Sequence, residues 1–320
     1  MNDRPRAETD LNRALPVGAR IVVVINPSAR SAGDRDAVVT LCRLLEKRYR
    51  VETVAPSTVE ELHLAAKAAA HSADALVVAG GDGTLHRVIN AIDGTGVALG
   101  LLPLGTGNDF ARALRLPFDP AGASANILDG RTRQIDLVAV NGRLFCTVGV
   151  IGVAAEATLA FDRLLRPGAW TRPLMRALGG WSYRLAGLNA LLKYGSRLDR
   201  VTVTTLSPAN SSAPADIHGA FVTNTTLLGG GMAVPVASNM ADGQLEIACI
   251  EAMSKARLYW AFTCLANGWP VPEGLLRIVR THHAVITSDQ PLSFAADGEP
   301  ICVDTRFDIA VQPGALCVIG

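Results

Sequence analysis

Gly80-Gly81-Asp82-Gly83-Thr84 stands between the apolar run Ala75-Leu76-Val77-Val78-Ala79 and a stretch in which Leu85, Val88, Ile89 and Ile92 recur at i, i+3, i+4 and i+7. The run predicts a buried strand and the stretch an amphipathic helix. A glycine turn from strand to helix offers several backbone N–H groups where the helix dipole is positive, which suits phosphate oxygens. Asp82 would repel a bare phosphate, so it is better placed beside a cation or a donor. The spacing matches neither a Walker loop nor a dinucleotide fingerprint.

A second loop, Leu104-Gly105-Thr106-Gly107-Asn108-Asp109-Phe110-Ala111-Arg112, follows the strand candidate Val97–Leu102, with Asn108 a candidate N-cap for a helix carrying Phe110 and Leu114. Alone it reads equally as an ordinary turn; two such loops about one βα unit apart favour a phosphate site. Upstream, Ile21–Ile25 is a β-branched strand, Val38, Leu41, Leu44 and Leu45 mark a helix, and Arg50–Ala55 is a second strand. Ser57 with Glu60 suggests a capping box for a helix through Leu62, Ala65 and Ala69. The order predicts a parallel, Rossmann-like sheet covered by helices, with ligands beyond the carboxyl ends of its strands.

From Gln134 the texture changes to short alternating segments: Gln134–Val140, Leu144–Gly149, Arg200–Thr205, Gly219–Asn224, Leu245–Ile250, Ala284–Thr287, Leu292–Ala296 and Asp304–Val311. One helical interruption, roughly Leu164 to Tyr194, divides them, and Ser207–Asp216 reads as a loop. The expectation is an α/β fold: an N-terminal domain over 17–133 whose loops suit a nucleotide phosphate, with 306–320 as a candidate to complete it, and an antiparallel β-rich, sandwich-like domain over 134–305.

Composition sets limits. The 320 residues, 49% hydrophobic and 18% charged, exclude a disordered chain, and the net charge of +1 argues against a nucleic-acid binder. Six cysteines without a C-x-x-C pair read as buried apolar residues of a reducing compartment. The polar N-terminus lacks an apolar signal core, and the longest apolar stretch, Leu144–Ala155, is too short to span a bilayer. A cytoplasmic protein is expected.

The paired loops resemble the diacylglycerol kinase catalytic-domain family, in its bacterial lipid-kinase branch. Asn26-Pro27-Ser28, Ile135-Asp136-Leu137, Gly229-Gly230-Gly231-Met232, Pro235, Asp242-Gly243 and Asp297-Gly298-Glu299 follow in the family's order, so the resemblance covers about Ile21 to Gly320. It implies phosphoryl transfer from ATP with Mg²⁺ to a lipid hydroxyl, most simply that of diacylglycerol. By the same resemblance Gly81, Asp82, Gly83 and Thr84 hold the phosphates, with Leu85, His86, Arg87 and Thr106 completing the cradle. Asn26, Pro27, Ser28, Ala29, Arg30 and Thr53 would contact the rest of the nucleotide. Two departures stand out. Arg87 replaces a commonly acidic residue, and Ser28-Ala29-Arg30 lacks the glycine usual there.

Asp297-Gly298-Glu299 reads by itself as a hairpin turn; the resemblance makes it supply the base, Asp297 first and Glu299 second, with Asp82 beside them as a catalytic residue. Asp242-Gly243 is likewise a hairpin candidate, for which the resemblance implies Mg²⁺ held by Asp242 and the carbonyls of Asn239 and Gln244. Basic and aromatic residues between Phe161 and Arg200 could rest on anionic headgroups or be a solvated face over a core. The partners expected are a lipid at a membrane surface, contacted peripherally, and ATP; a homodimer is left open. The histidines show no metal spacing. A sphingoid base or other lipid alcohol as acceptor, or a non-catalytic nucleotide or lipid sensor, are the alternatives.

Overall fold

The computed structural model of the protein describes residues 15–26, 32–165, 180–206, 209–211 and 213–320. The β-branched and apolar runs at the start form β1 (Arg20–Ile25), β2 (Arg50–Val54), β3 (Ala75–Gly80) and β4 (Ala98–Pro103). They alternate with α1 (Ala32–Leu45), α2 (Val59–Ser72) and α3 (Asp82–Ile92); α4 (Asp109–Ala113) and α5 (Pro120–Asp129) follow β4. The strands pair in parallel in the order β4-β3-β1-β2. Every residue of β3 and β4 is buried because helices pack on both faces, which explains their unbroken apolar character. Leu85, Val88, Ile89 and Ile92 do form the buried face of α3.

The α2 cap sits one residue later than Ser57 and Glu60 suggest. Thr58 accepts from Glu61 N, and Glu61 Oε2 reaches back to Ser57 N at 2.7 Å.

The second half opens with β5 (Thr132–Val140), β6 (Arg143–Phe145), β7 (Val148–Gly152) and α6 (Val153–Leu165). There follow α7 (Gly180–Tyr194), β8 (Asp199–Leu206), β9 (Ala209–Ser211), β10 (Ala215–Thr223), β11 (Leu227–Leu228) and β12 (Met232–Ala233). The chain ends with β13 (Leu245–Glu251), α8 (Lys255–Asn267), β14 (Leu276–Thr281), β15 (His283–Ala296) and β16 (Glu299–Ile319).

Several of these differ from the sequence expectation. The predicted strand Leu144–Gly149 is split at Cys146 and Thr147, whose amides bond a side chain instead of a neighbouring strand. Ala284–Thr287 and Leu292–Ala296 are one strand, irregular between Thr287 and Leu292. The expected loop after Ser207 carries β9, which pairs with β8. Helix α6 begins at Val153, directly after Gly152 (φ 69°), well before Leu164.

Among the described residues fourteen strands share one sheet, β14-β13-β10-β7-β15-β16-β4-β3-β1-β2 along its main path. The long β16 joins the halves. It runs antiparallel to β15, then antiparallel to β5, and ends parallel to β4 at Val318↔Leu99. The glycine loops at the carboxyl ends of β3 and β4 therefore face elements of the second half. No helix among the described residues is long and apolar enough to cross a membrane.

Candidate active site

The two loops touch backbone to backbone. A Cβ on Gly105 would lie 2.6 Å from Gly81 Cα, and one on Gly81 2.8 Å from Gly105 Cα. Only glycine permits this approach. Asn108 folds the second loop onto itself, accepting from Gly105 N at 3.0 Å and donating to Gly105 O at 2.8 Å. Its backbone is left-handed (φ 49°) and its side chain does not cap α4. The cap comes from the first loop: Asp82 Oδ2 accepts from Asp109 N and Oδ1 from Phe110 N, at 3.2 and 3.3 Å. Gly105→Ala is accordingly expected to force the loops apart, with an overpacking cost of about 1–3 kcal/mol and loss of turnover. Gly33→Ala, which meets nothing within 4 Å, is the neutral control in a thermal melt.

Gly229, Gly230 and Gly231 all have positive φ, and the N–H groups of Gly230 and Gly231 grip the Asp109 carboxylate at 2.8–3.0 Å. The glycine run thus fastens the second loop to the β-rich half. Asp136 works similarly, accepting from Gly243 N and Gly314 N at 2.7 and 2.8 Å.

Asp297 and Gly298, with φ 51° and 82°, turn the chain between the paired residues Ala296 and Glu299. The segment is therefore both the hairpin turn and part of the site. The Asp297 side chain is 1% exposed. Its oxygens accept from Cys146 N at 3.1 Å, Thr147 N at 2.8 Å, Thr147 Oγ1 at 2.6 Å and His86 Nδ1 at 3.0 Å. Burial favours the neutral acid, but His86 and Thr147 outweigh it and hold the Asp297 carboxyl below the usual range. An ionised carboxylate only accepts, so His86 Nδ1 carries a proton. Glu299 is different. Its side chain is 25% exposed, Oε2 accepts from Arg87 Nη2 at 2.8 Å, and Oε1 overlies Gly83, where a Cβ would come within 2.4 Å.

Burial first, and then the charge of Asp109, push Asp82 up to about 7 against the amides that cap α4. Asp109 is raised too, chiefly by burial. Along one wall of a cavity of about 350 Å³ lie Gly81–Gly83, Gly105–Gly107, Asp109 and Asp297–Glu299. Much of the remaining lining is apolar and includes Val150, Leu191, Phe221, Leu258, Phe262 and Leu276.

The structure scatters other expected residues. Thr84 and Leu85 are buried, with Leu85 in the core and Thr84 under Gly80. Thr106 lines the cavity. Asn26 ends β1 with its N–H on Ala79 O, and Thr53 is exposed on β2, pairing with Val23. Pro27, Ser28, Ala29 and Arg30 lie outside the described residues, as do Arg166, Trp170, Arg172 and Arg176 of the cationic segment. Asp242 accepts from Gln244 N and ion-pairs with Arg280 Nη2 at 2.5 Å, while Asn239 Oδ1 accepts from Ala241 N. The Arg280 guanidinium thus lies against Asp242. The site residues expected from the sequence do not include Asp109, Thr147 or Gly230–Gly231, although the glycine pair stands in a quoted motif. Asp109 lay within a quoted motif and was legible as a candidate carboxylate; Thr147 carried no signal.

Comparisons with known proteins bear on the family and the fold. Residues 20–140 match the diacylglycerol kinase catalytic domain, and residues 169–320 the YegS C-terminal NAD kinase beta sandwich-like domain. A diacylglycerol kinase of Mycobacterium tuberculosis is 30% identical over 313 residues, covering 94% of each chain. A Pseudomonas aeruginosa protein named "probable lipid kinase YegS-like" is 31% identical over 245 residues, 76% of this chain and 75% of that one. The crystal structure of a diacylglycerol kinase from Bacillus anthracis superposes with a TM-score of 0.71 at 16% identity, covering 94% and 96% of the two chains. What is shared is a kinase fold of mixed α/β structure ending in a β sandwich-like domain. The chain belongs to the diacylglycerol kinase catalytic-domain family, in its bacterial lipid-kinase branch.

Proposed function

We propose that the protein transfers the terminal phosphoryl group of ATP to the hydroxyl of a membrane lipid, with diacylglycerol as the acceptor. One observation supports this above the rest: a single cavity is lined both by carboxylates and amide-rich loops and by many apolar side chains. A hydroxyl on a long apolar tail matches such a lining. Each acyl methylene withdrawn from water contributes about 0.8 kcal/mol, so the tail supplies binding and the polar end is left to the reacting hydroxyl.

The loop backbones at Gly81, Gly83 and Gly105–Gly107 would cradle the phosphates, where a side chain would intrude. Glu299 is the better base of the two acids in the turn. It is reachable from the cavity, whereas the oxygens of Asp297 are taken up by buried donors. Glu299 would accept the hydroxyl proton as the lipid oxygen bonds the phosphorus and the bond to the departing ADP oxygen breaks. Asp297 instead fixes the turn, and Arg87 holds the carboxylate of Glu299.

The residues also fit a divalent cation. Asp82 and Asp109 are buried, mutually repelling carboxylates beside the phosphate end, and both would gain from a positive neighbour. Among the described residues no three His, Cys, Asp or Glu side chains form a cage. Mg²⁺ would therefore arrive on the nucleotide, as its preference for few protein ligands allows. Bound there, it would neutralise charge on the transferring phosphoryl group.

Labelled ATP incubated with diacylglycerol, a sphingoid base and a crude lipid extract checks this. Labelled phosphatidic acid is expected. Label in none of the lipids at any Mg²⁺ concentration would overturn the reading and favour a sensor.

A further inference from the structure

We infer that the guanidinium of Arg280 is the built-in cation of the turn at Asp242, so that this segment holds its shape without a divalent metal. The family resemblance implies the opposite, Mg²⁺ on Asp242 and the carbonyls of Asn239 and Gln244. The residues do not fit it.

The reason lies in how three strands line up. Thr223 of β10, Glu246 of β13 and Arg280 of β14 stand directly opposite one another across the sheet, so their side chains share one face. Arg280 extends from this row over the turn that precedes β13. Its Nη2 lies 2.5 Å from Asp242 Oδ2, and its Nε lies 3.3 Å from Glu246 Oε1. One planar group thus spans two carboxylates, as a rigid fork of N–H donors allows. The remaining oxygens are engaged as well. Asp242 Oδ1 accepts from Gln244 N at 3.0 Å, and Glu246 Oε2 accepts from the hydroxyls of Ser238 and Thr223.

A divalent ion on Asp242 would have to sit beside Arg280 or displace it. Beside it, the ion would meet a positive charge at close range and be repelled. Displacement would strip Glu246, whose side chain is 4% exposed, of the one cation paired with it among the described residues. A buried carboxylate robbed of its partner is strongly unfavourable. The turn also matters to the site. Gly243 N donates to Asp136 Oδ2 and Asp136 N to Met240 O, while Met240 packs against the cluster that contains Leu85 and Leu99. Asn224 donates to Asp136 O and Cys146 O, and the Cys146 amide holds Asp297. From the edge strand β14, Arg280 therefore braces a clasp that reaches the Asp297 turn.

The experiment is thermal unfolding of the full chain without nucleotide, in chelator and in millimolar Mg²⁺, for the wild type, Asp242→Asn and Arg280→Met. The shift that Mg²⁺ causes should be equal in the wild type and in Asp242→Asn, a comparison that cancels any binding beside Asp82 and Asp109. Arg280→Met keeps an aliphatic stem and removes the charge. It should melt about 2–4 °C lower in chelator, and Mg²⁺ should recover most of that loss by binding the carboxylates left without their cation. Adding Asp242→Asn to Arg280→Met should abolish the recovery. A Mg²⁺ shift larger in the wild type than in Asp242→Asn would place a metal on Asp242 and overturn the inference. So would Arg280→Met that melts with the wild type in chelator, or one whose loss Mg²⁺ leaves untouched, since the guanidinium would then act through packing alone. Should Arg280→Met fail to fold, the comparison of the wild type with Asp242→Asn still decides. None of these melts depends on which lipid, if any, is phosphorylated.

Discussion

Glu299→Gln is expected to lower kcat by about a hundred- to ten-thousand-fold, with KM for both substrates and the thermal midpoint nearly unchanged. Glutamine keeps the size of the side chain over Gly83 and removes only the capacity to take a proton. The stability lost with the Arg87 pair is small, because both partners are partly exposed and such pairs contribute about 0–1 kcal/mol. Asp297→Asn should behave oppositely. Its amide nitrogen would be turned toward N–H or O–H donors of Cys146, Thr147 or His86, and each buried group left unpaired costs about 1–3 kcal/mol. Loss of folded protein would then precede loss of chemistry. Steady-state rates and melts of the two variants separate a base from a brace. A folded Glu299→Gln enzyme turning over at the wild-type rate would remove Glu299 from the mechanism.

The asymmetry between these two acids was not legible in the sequence, which ranks Asp297 first. Three residues spell out a turn and a pair of carboxylates, but burial is decided by β7 and α3, distant in the chain. The paired glycine loops were legible because the periodicities that flank them are local, although the contacts that require bare backbone there are not. So was the parallel order of the first four strands, whose runs are buried on both faces. Helix α8 was missed although Ser254 caps it and Gly268 ends it; its aromatic residues Tyr259, Trp260 and Phe262, spread over more than one face, obscure the helical period. The Asn108 cap failed for a tertiary reason. Asp82, on the other loop, reaches the α4 amides first, leaving Asn108 to hold Gly105. Asp136 is similar: a motif residue whose partners, Gly243 and Gly314, only the folded sheet supplies.

The metal-free protein should lose stability as pH rises from about 4 to about 8, through Asp82. The group titrates near 7 in the fold against 3.8 as an ordinary aspartate. Its folded form therefore binds a proton more tightly than its unfolded form. The stabilisation is fully present below the unfolded value and is lost as pH climbs through the folded one. Each pKa unit is worth about 1.4 kcal/mol, so the swing is about 4 kcal/mol. Other groups titrate in the same window, so the decisive quantity is the difference from Asp82→Asn, which lacks this titration and should show a correspondingly flatter profile in denaturant melts under chelator. Asp297, with its lowered value, acts in the reverse sense and only at acid pH, where its stabilisation fades as pH falls through the folded value. Mg²⁺ with a nucleotide should flatten the wild-type slope, since a cation beside Asp82 favours the charged form. The same burial that weakens the empty fold at neutral pH would then strengthen the grip on the cation, which makes the cost part of the site. Identical pH profiles for wild type and Asp82→Asn would show that Asp82 is ionised without help, and that the buried carboxylates do not select for a positive partner.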